Sequence, residues 1–209
     1  MAEGAHDFSI DYFLPHAPVW DQILDTWKPS RIVEVGSYEG RSACYIIDRV
    51  TQDRPLELWC LDTWEGSAAP GHDPTTMISA QARFDRNIEV SKGQAKHPVT
   101  VNKMRGRSDD GLAWLLAAGH RESIDLIYID GSHEAPDVLT DACLAFPLLR
   151  VGGVMIFDDY TWFLGAYAER DPIQMPKPAI DAFMNLFLRK MYMIDGAGPA
   201  QIYAQKMAT

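Results

Sequence analysis

Our prediction of the fold starts from the segment Arg31-Ile-Val-Glu-Val-Gly-Ser-Tyr-Glu-Gly-Arg-Ser42. Its three β-branched residues before the first glycine are typical of a buried parallel strand. Gly36 and Gly40 predict a tight turn, and the apolar residues that follow Ser42 predict a helix. A strand, a glycine turn and a helix in this order form the kind of turn that binds nucleotides.

The spacing of the glycines distinguishes between two classes of ligand. A dinucleotide fingerprint G-x-G-x-x-G needs glycines at 36, 38 and 41, but this chain has Tyr38 and Arg41 at the last two positions. The turn therefore favours a ligand without a pyrophosphate, such as S-adenosylmethionine (SAM). Glu34, on the strand before the turn, is a candidate to hold the ammonium group of SAM, directly or through water. A turn without any ligand is the alternative, because short glycine motifs have many false positives.

The pattern E-x-G-x-x-x-G from Glu34 to Gly40 resembles the first motif of class I SAM-dependent methyltransferases. The resemblance implies an α/β fold: a single Rossmann-like domain with a mostly parallel seven-stranded sheet, helices on both faces and a C-terminal antiparallel hairpin. Residues 191–194 and 201–204 flank a glycine-rich turn and predict that hairpin. The candidate SAM-binding residues are Glu34, Gly36, Ser37, Tyr38, Gly40, Ser42, Asp62, Thr63, Trp64, Ser108, Asp109 and Asp130.

The composition limits the domain organisation and the partners. The chain has 209 residues, of which 47% are hydrophobic and 23% charged, and this suits one globular domain with a full core. We expect a single domain over 1–209, in which residues 1–29 form an N-terminal cap segment and the first helix. The formal net charge of −10 argues against nucleic-acid binding, because gripping phosphates needs a basic face.

Cysteine usage and hydropathy predict the compartment. Cys44, Cys60 and Cys143 lie in apolar segments without paired or metal-type spacing, so we expect buried free thiols in a reducing compartment. We find no early signal segment and no run of about 18 apolar residues that would span a bilayer. The expectation is a cytoplasmic protein without membrane contact.

Two further positions have both a ligand-binding and a structural interpretation. Asp62 ends the second predicted strand, where an acidic residue is placed to accept hydrogen bonds from ribose hydroxyls, or else caps a turn or helix. Ser108 or Asp109 is a good N-cap for the helix that follows the third strand. The resemblance implies that one of these two residues contacts adenine. His72 lies in a glycine- and proline-rich loop, where a lone histidine is more often ordinary surface.

Acidic residues follow two strands in the second half of the chain. Residues 124–129 form a predicted strand that ends in Asp130, and residues 154–157 form one that ends in Asp158 and Asp159. A predicted helix over 135–150 connects the two strands, and a right-handed β-α-β unit makes them parallel. Their carboxyl ends then share one edge of the sheet, which brings the three carboxylates and His133 together.

Clustered carboxylates repel one another, and a hard divalent cation removes that repulsion. Magnesium is the expected ion, because it leaves coordination sites for a hydroxyl-bearing acceptor and lowers the pKa of that hydroxyl. His133 is then the candidate base that removes the proton. The alternatives are helix or turn capping by Asp158 or Asp159 and a merely solvated His133.

The same half of the chain supports a more specific resemblance. The motif Asp130-Gly-Ser-His133, Asp141, Gly152-Gly153 and Asp158-Asp159-Tyr160 resemble the metal-dependent small-molecule O-methyltransferases related to macrolide-sugar O-methyltransferases. The resemblance covers about residues 30–160 and implies magnesium ligands at Asp130, Asp158 and Asp159, with His133 as the base. It further implies a small-molecule hydroxyl acceptor, such as a sugar, a phenol or another natural product, and a homo-oligomer. One departure from the family is the N-terminal lead, which is shorter than in larger relatives, so the lid and the particular assembly of those relatives need not carry over.

The remaining observations concern the acceptor and rival functions. Residues 161–178 are rich in aromatic residues and proline, so they either line an acceptor pocket or pack onto the sheet; residues 179–190 predict an amphipathic helix. An NAD-linked oxidoreductase has the same fold class but is disfavoured by Tyr38 and Arg41. A SAM-binding module without catalysis is another alternative, and the acidic balance opposes RNA methylation.

Overall fold

The structure, a computed structural model, describes residues 5–66, 74–166, 170–195, 198 and 200–209, without the side chains of residues 74–76. His72 lies outside the described residues. The strands are β1 (Arg31–Val35), β2 (Leu56–Asp62), β3 (Val99–Arg105), β4 (Ile124–Ile129), β5 (Leu149–Phe157), β6 (Met191–Met193) and β7 (Ile202–Lys206). The helices are α1 (Ala17–Trp27), α2 (Arg41–Val50), α3 (Pro74–Gln94), α4 (Ser108–Ala117), α5 (Ala135–Ala145) and α6 (Pro176–Leu186).

The seven strands form one sheet in the order β3-β2-β1-β4-β5-β7-β6. Strands β1 to β5 pair in parallel, and β7 pairs antiparallel with both β5 and β6. The predicted mostly parallel sheet with a C-terminal antiparallel hairpin is therefore confirmed. The strand order reverses between β1 and β4, and open α/β sheets bind ligands outside the strand ends at such a point.

Alternate side chains of each strand enter two separate cores. Ile32 and Leu58 pack on one face of the sheet with residues of α1, α2 and α3. Their neighbours Val33 and Trp59 pack on the other face with residues of α4, α5 and α6. Strands covered on both faces need apolar residues at consecutive positions, which explains the continuous hydrophobic runs in the sequence.

The boundary between α5 and β5 differs from the prediction. The predicted helix extended to Arg150, but α5 ends at Ala145 and β5 begins at Leu149. Pro147 explains the earlier end, because its ring nitrogen has no hydrogen to donate and the ring disfavours helix. Gly152, with φ of 84°, then lies in an irregular stretch where the register of β5 against β4 shifts.

The C-terminal helix is also displaced from the predicted range 179–190. It begins at Pro176, because proline is well tolerated in the first turn of a helix, where the missing N–H has no partner to lose. It ends at Leu186, so Leu188, expected on the apolar stripe, lies outside the helix and is 74% exposed.

The cysteines only partly follow the expectation. Cys44 and Cys60 are buried free thiols as predicted, but the prediction is wrong for Cys143, which is exposed on α5. Within the described part of the chain, we find no helix with the length and apolar character needed to cross a bilayer.

Candidate functional site

Gly36 forms the centre of the site, at the carboxyl end of β1. A Cβ atom at this position would lie 1.8 Å from the carbonyl oxygen of Asp130, and φ of Gly36 is 84°. The amide of Gly36 donates to the carbonyl of Leu61, and the amide of Asp130 donates to that of Val35, both at 2.8 Å. The turn is therefore joined to the ends of β2 and β4, and only glycine fits there.

Glu34 lies beneath this turn and is completely buried. Its two carboxylate oxygens accept hydrogen bonds from the hydroxyls of Ser37 and Ser42, both at 2.5 Å. Burial raises the pKa of Glu34 to about 7, and the two serine hydroxyls oppose that rise. These bonds connect β1, the turn and α2; the contact of Glu34 with an ammonium group stays a prediction.

Asp62 organises the turn from the end of β2. Its carboxylate accepts backbone N–H bonds from Ser37 at 2.9 Å, Tyr38 at 2.8 Å and Trp64 at 2.6 Å. Each carboxylate oxygen has two lone pairs, so these three bonds leave acceptor capacity for a ribose hydroxyl. That role remains a prediction, and the structure adds a structural role in holding the glycine turn.

Trp64 supports the turn from behind. Its side chain is buried, its indole N–H donates to the carbonyl of Tyr38 at 2.8 Å, and its ring packs 5.0 Å from that of Phe84. The φ of Gly40 is 79°, and a Cβ there would approach the same Phe84 ring at 3.0 Å. These residues shape the turn through packing.

The prediction that Ser108 or Asp109 caps α4 is wrong. Arg107 occupies the N-cap position and makes no side-chain capping bond. Ser108 is already in the first turn, and its hydroxyl donates to Oδ2 of Asp141 at 2.9 Å, whereas Asp109 pairs with Arg107 at 3.1 Å. The contact of Ser108 or Asp109 with adenine stays a prediction.

Two of the predicted carboxylates meet at one hydroxyl group. The Tyr128 hydroxyl, on β4, lies 2.9 Å from Oδ2 of Asp130 and also contacts Oδ2 of Asp158 at the end of β5. Burial raises the pKa of both carboxyls; the charges of Asp158 and Asp159 raise that of Asp130 further, and the Asp159 charge raises that of Asp158. Sequence reasoning missed Tyr128, whose position two residues before Asp130 was the available signal.

His133 and Asp159 complete the same cluster. Nε2 of His133 lies 2.8 Å from Oδ2 of Asp159, and the imidazole ring packs 4.0 Å from the ring of Trp162. Asp159 has φ of 55°, and its amide donates to Oδ1 of Asp158 at 2.7 Å. The structure thus brings together the four side chains that the strand order predicted at one edge.

A cavity of about 730 Å³ opens over these residues. This volume is in the usual range of ligand pockets, about 300–1,000 Å³. Among the sequence-predicted residues, its lining includes Gly36, Tyr38, Asp62, Thr63, Ser108, Asp130, His133, Asp158 and Asp159. Ser37 and Ser42 line an adjoining pocket of about 80 Å³, whereas Glu34, Gly40 and Trp64 are buried and line neither pocket.

The N-terminal segment covers part of this region. Both the amide and the hydroxyl of Ser9 donate to the buried carboxylate of Glu39, at 2.6 and 2.7 Å, and the amide of Asp7 donates to the buried Asn87 at 2.7 Å. Tyr12 and His16 consequently line the large cavity, together with Trp162 of the post-β5 loop. The sequence predicted a cap segment but did not identify its buried polar anchors.

The carboxylate cluster suits a hard divalent cation in its chemistry. Asp130 and Asp158 are like charges held at one hydroxyl, and carboxylate oxygens are the ligands that magnesium prefers. In the arrangement observed, however, the described residues contain no group of three or more His, Cys, Asp or Glu side chains placed to hold one ion.

Asp141 is a buried acid next to the site. Its Oδ2 accepts from Ser108, while its Oδ1 is buried without a hydrogen-bond partner among the described residues. Burial raises the pKa of Asp141 from 3.8 to about 7, opposed by the bond from Ser108. The folded state therefore gains stability from the protonated acid below pH 3.8 and loses that gain as the pH rises through about 7.

We expect Asp141→Asn to remove this loss. The free energy of unfolding of the variant, relative to the unsubstituted protein, should rise between about pH 4 and about pH 8 by up to about 4 kcal/mol. Urea denaturation at both pH values measures the change. Equal differences at the two pH values would contradict the raised pKa of Asp141.

Comparison with known proteins gives matches over most of the chain. A family model described as "Methyltransferase domain" matches residues 33–160. An uncharacterised protein of Sinorhizobium fredii is 24% identical over 155 residues, which are 70% of this chain and 15% of that protein. The chain thus spans a small part of that curated relative.

Solved structures show a similar fold. The O-methyltransferase TomG of Streptomyces achromogenes, involved in tomaymycin synthesis and solved in complex with SAM, has a TM-score of 0.63 and 18% identity; 97% of this chain and 83% of that chain are covered. A calicheamicin methyltransferase has a TM-score of 0.61 and 17% identity, with 92% and 77% covered. At these identities the likeness concerns the fold alone.

Proposed function

The chain belongs to the methyltransferase-domain family, and from that premise we propose that it transfers the methyl group of SAM to a hydroxyl group of a small molecule. One observation carries the proposal for a hydroxyl acceptor. His133 and three carboxylates lie at the ends of β4 and β5, beside a cavity that also borders the glycine turn. A hydroxyl is a poor nucleophile until it loses its proton, and this cluster has groups suited to taking and stabilising a proton.

The glycine turn and the end of β2 are the proposed binding site of SAM. The amino-acid end of SAM would lie along the backbone of Gly36 and Ser37, the ribose at Asp62, and the adenine at Ser108. TomG, a protein with a similar fold, was solved with SAM bound, and this supports SAM as the methyl donor. The sulfonium is already a good leaving group, so the protein has mainly to align donor and acceptor.

Asp130, Asp158 and Asp159 are the proposed ligands of a magnesium ion. When bound, the ion would act as a Lewis acid that lowers the pKa of the acceptor hydroxyl. The raised pKa of Asp130 and of Asp158, caused by burial and by nearby carboxylates, supports a need for positive charge at this position.

His133 is the proposed base. Its Nε2 is within hydrogen-bond distance of Asp159, so in the neutral ring Nε2–H donates to that carboxylate and Nδ1 is left to accept a proton. The packing of Trp162 against the ring limits its rotation. Asp159 would thereby fix the tautomer and stabilise the imidazolium after proton transfer.

The proposed partner is a small-molecule hydroxyl compound: a sugar, a phenol or another natural product. The net charge of −10 supports an enzyme that does not act on nucleic acid. We further propose a single domain over 1–209, a homo-oligomer, and a cytoplasmic location supported by the buried free thiols of Cys44 and Cys60.

Two measurements test this function. Calorimetric titration with SAM, and separately with NAD, should show binding of SAM alone, because Tyr38 and Arg41 stand where a dinucleotide site needs glycine. Transfer of radiolabelled methyl from SAM should then be measured with panels of sugar, phenolic and other natural-product acceptors. Binding of NAD but not SAM would reject the proposal.

Asp158→Ala separates acceptor activation from SAM binding. We expect methyl transfer to fall by about 100-fold or more, because the acceptor loses a group that orients and activates it. SAM affinity should stay within about twofold, because the turn that binds SAM keeps its contacts. Asp53→Ala, which removes a carboxylate on the surface beside Arg54, is the matched control and should leave both unchanged. Loss of SAM binding equal to the loss of activity would contradict the assigned role.

A further inference from the structure

Gln201, immediately before β7, contacts the carboxylate cluster from the interior of the protein. Its side chain is buried, and its Nε2 donates to Oδ2 of Asp158 at 2.7 Å. Its Oε1 accepts from the indole N–H of Trp20 at 3.1 Å and from the hydroxyl of Tyr203. A buried chain of hydrogen bonds therefore runs from α1 to the end of β5.

The chemistry of Trp20 fixes the orientation of the Gln201 amide. An indole N–H can only donate, so the atom of Gln201 that faces Trp20 must be the oxygen. The amide nitrogen then faces Asp158. Asp158 accepts at Oδ1 from the Asp159 amide and at Oδ2 from Gln201 and Tyr128. Its carboxylate cannot rotate without breaking these bonds.

We propose that Gln201 is a positioning residue for Asp158, anchored by Trp20, and that β7 thereby sets the direction in which Asp158 presents its carboxylate to the cavity. Groups that hold a ligating carboxylate from behind typically change metal affinity by about 10- to 100-fold when removed. The part of the inference that concerns a bound cation rests on the proposed function. The part that concerns the coupling of Trp20 to Asp158 does not.

The coupling is measurable at the indole N–H of Trp20. In protein labelled with ¹⁵N-tryptophan, the six tryptophans give separate indole signals, and Trp20→Phe identifies the one from Trp20. We expect Asp158→Asn to move this signal by several line widths. Asp159→Asn removes a carboxylate from the same cluster but not from the hydrogen-bond chain, so it should leave the signal in place. Equal movement in both variants, or movement in neither, would overturn the proposal.

Gln201→Met tests the link itself. In this background the additional Asp158→Asn change should no longer move the Trp20 signal, and a persistent shift would show that Gln201 does not carry the effect. Gln205→Met is the matched control, because Gln205 is on the same strand but bonds to the carbonyl of Gly152. If Gln201→Met does not fold, the comparison of Asp158→Asn with Asp159→Asn decides.

Titration with Mn²⁺ alone, followed by calorimetry and electron paramagnetic resonance, tests the cation part. Gln201→Met should bind Mn²⁺ about 10- to 100-fold more weakly than the unsubstituted protein, with SAM affinity unchanged. Equal Mn²⁺ affinity in folded Gln201→Met would overturn the positioning role. If the unsubstituted protein binds no Mn²⁺, the proposal of a metal ion at this site is rejected. The role of Gln201 is then tested by the movement of the Trp20 indole signal alone.

Discussion

Gly36→Ala should abolish SAM binding and destabilise the protein by about 4 kcal/mol or more. The added Cβ would lie 1.8 Å from the carbonyl oxygen of Asp130, and neither backbone can move away, because the amides of Gly36 and Asp130 are hydrogen-bonded to β2 and β1. The positive φ adds a conformational penalty for any L-residue other than glycine. Urea denaturation and calorimetric titration with SAM measure the two effects.

Gly93→Ala is the matched control for this prediction. Gly93 lies in α3, and nothing is within 4 Å of a Cβ built there. Alanine favours helix over glycine, so this variant should be more stable by up to about 1 kcal/mol and should bind SAM normally. A Gly36→Ala protein with near-normal stability would show that β1 and β4 are not in close contact at this point.

His133→Gln should lower methyl transfer by about 10²- to 10⁴-fold, the usual contribution of a positioned general base. Glutamine keeps a polar group near Asp159 but cannot take up a proton. SAM affinity should be unchanged, because the side-chain contacts of His133 are with Asp159 and Trp162 and not with the glycine turn. Single-turnover rates with a hydroxyl acceptor and calorimetric titration with SAM measure the two quantities.

His97→Gln serves as the control. His97 lies just before the amino end of β3, whereas His133 lies beyond the carboxyl end of β4. It should not change the rate of transfer. A His133→Gln enzyme with the unsubstituted rate would reject the assignment of the base. A rate that recovers at high pH would instead indicate that hydroxide replaces the histidine, which agrees with the assignment.

Local patterns were sufficient to predict the fold and the convergence of the carboxylates. The class I methyltransferase resemblance is confirmed by the matching family model, and the sheet has the predicted strand types. The right-handed β-α-β rule correctly brought Asp130 and Asp158 to one edge, because it depends only on chain direction and not on side-chain detail. The end of α5 was predicted wrongly, because the apolar stripe continues past Pro147 but the helix does not. Residues from Leu149 onward, including Gly152, form β5 instead.

Contacts between distant residues could not be predicted from the sequence. Gln201 and Tyr128 meet at Asp158 because β7 is inserted beside β5 with one particular register, and no local signal encodes that register. The bonds of Asp62 to the backbone of the glycine turn also depend on the adjacent placement of β1 and β2. Sequence reasoning identified the chemical groups of the site and left the residues that hold them unassigned.

The position of β7 between β5 and β6 affects how the protein matures during synthesis. A ribosome makes β5 and β6 before β7, so the outer edge of β5 has unpaired N–H and C=O groups until residues 202–206 emerge. An uncovered strand edge is open to association with other nascent chains and to chaperone capture. Completion of this edge therefore follows the synthesis of the other strands of the sheet, and Gln201 can reach Asp158 only at that stage.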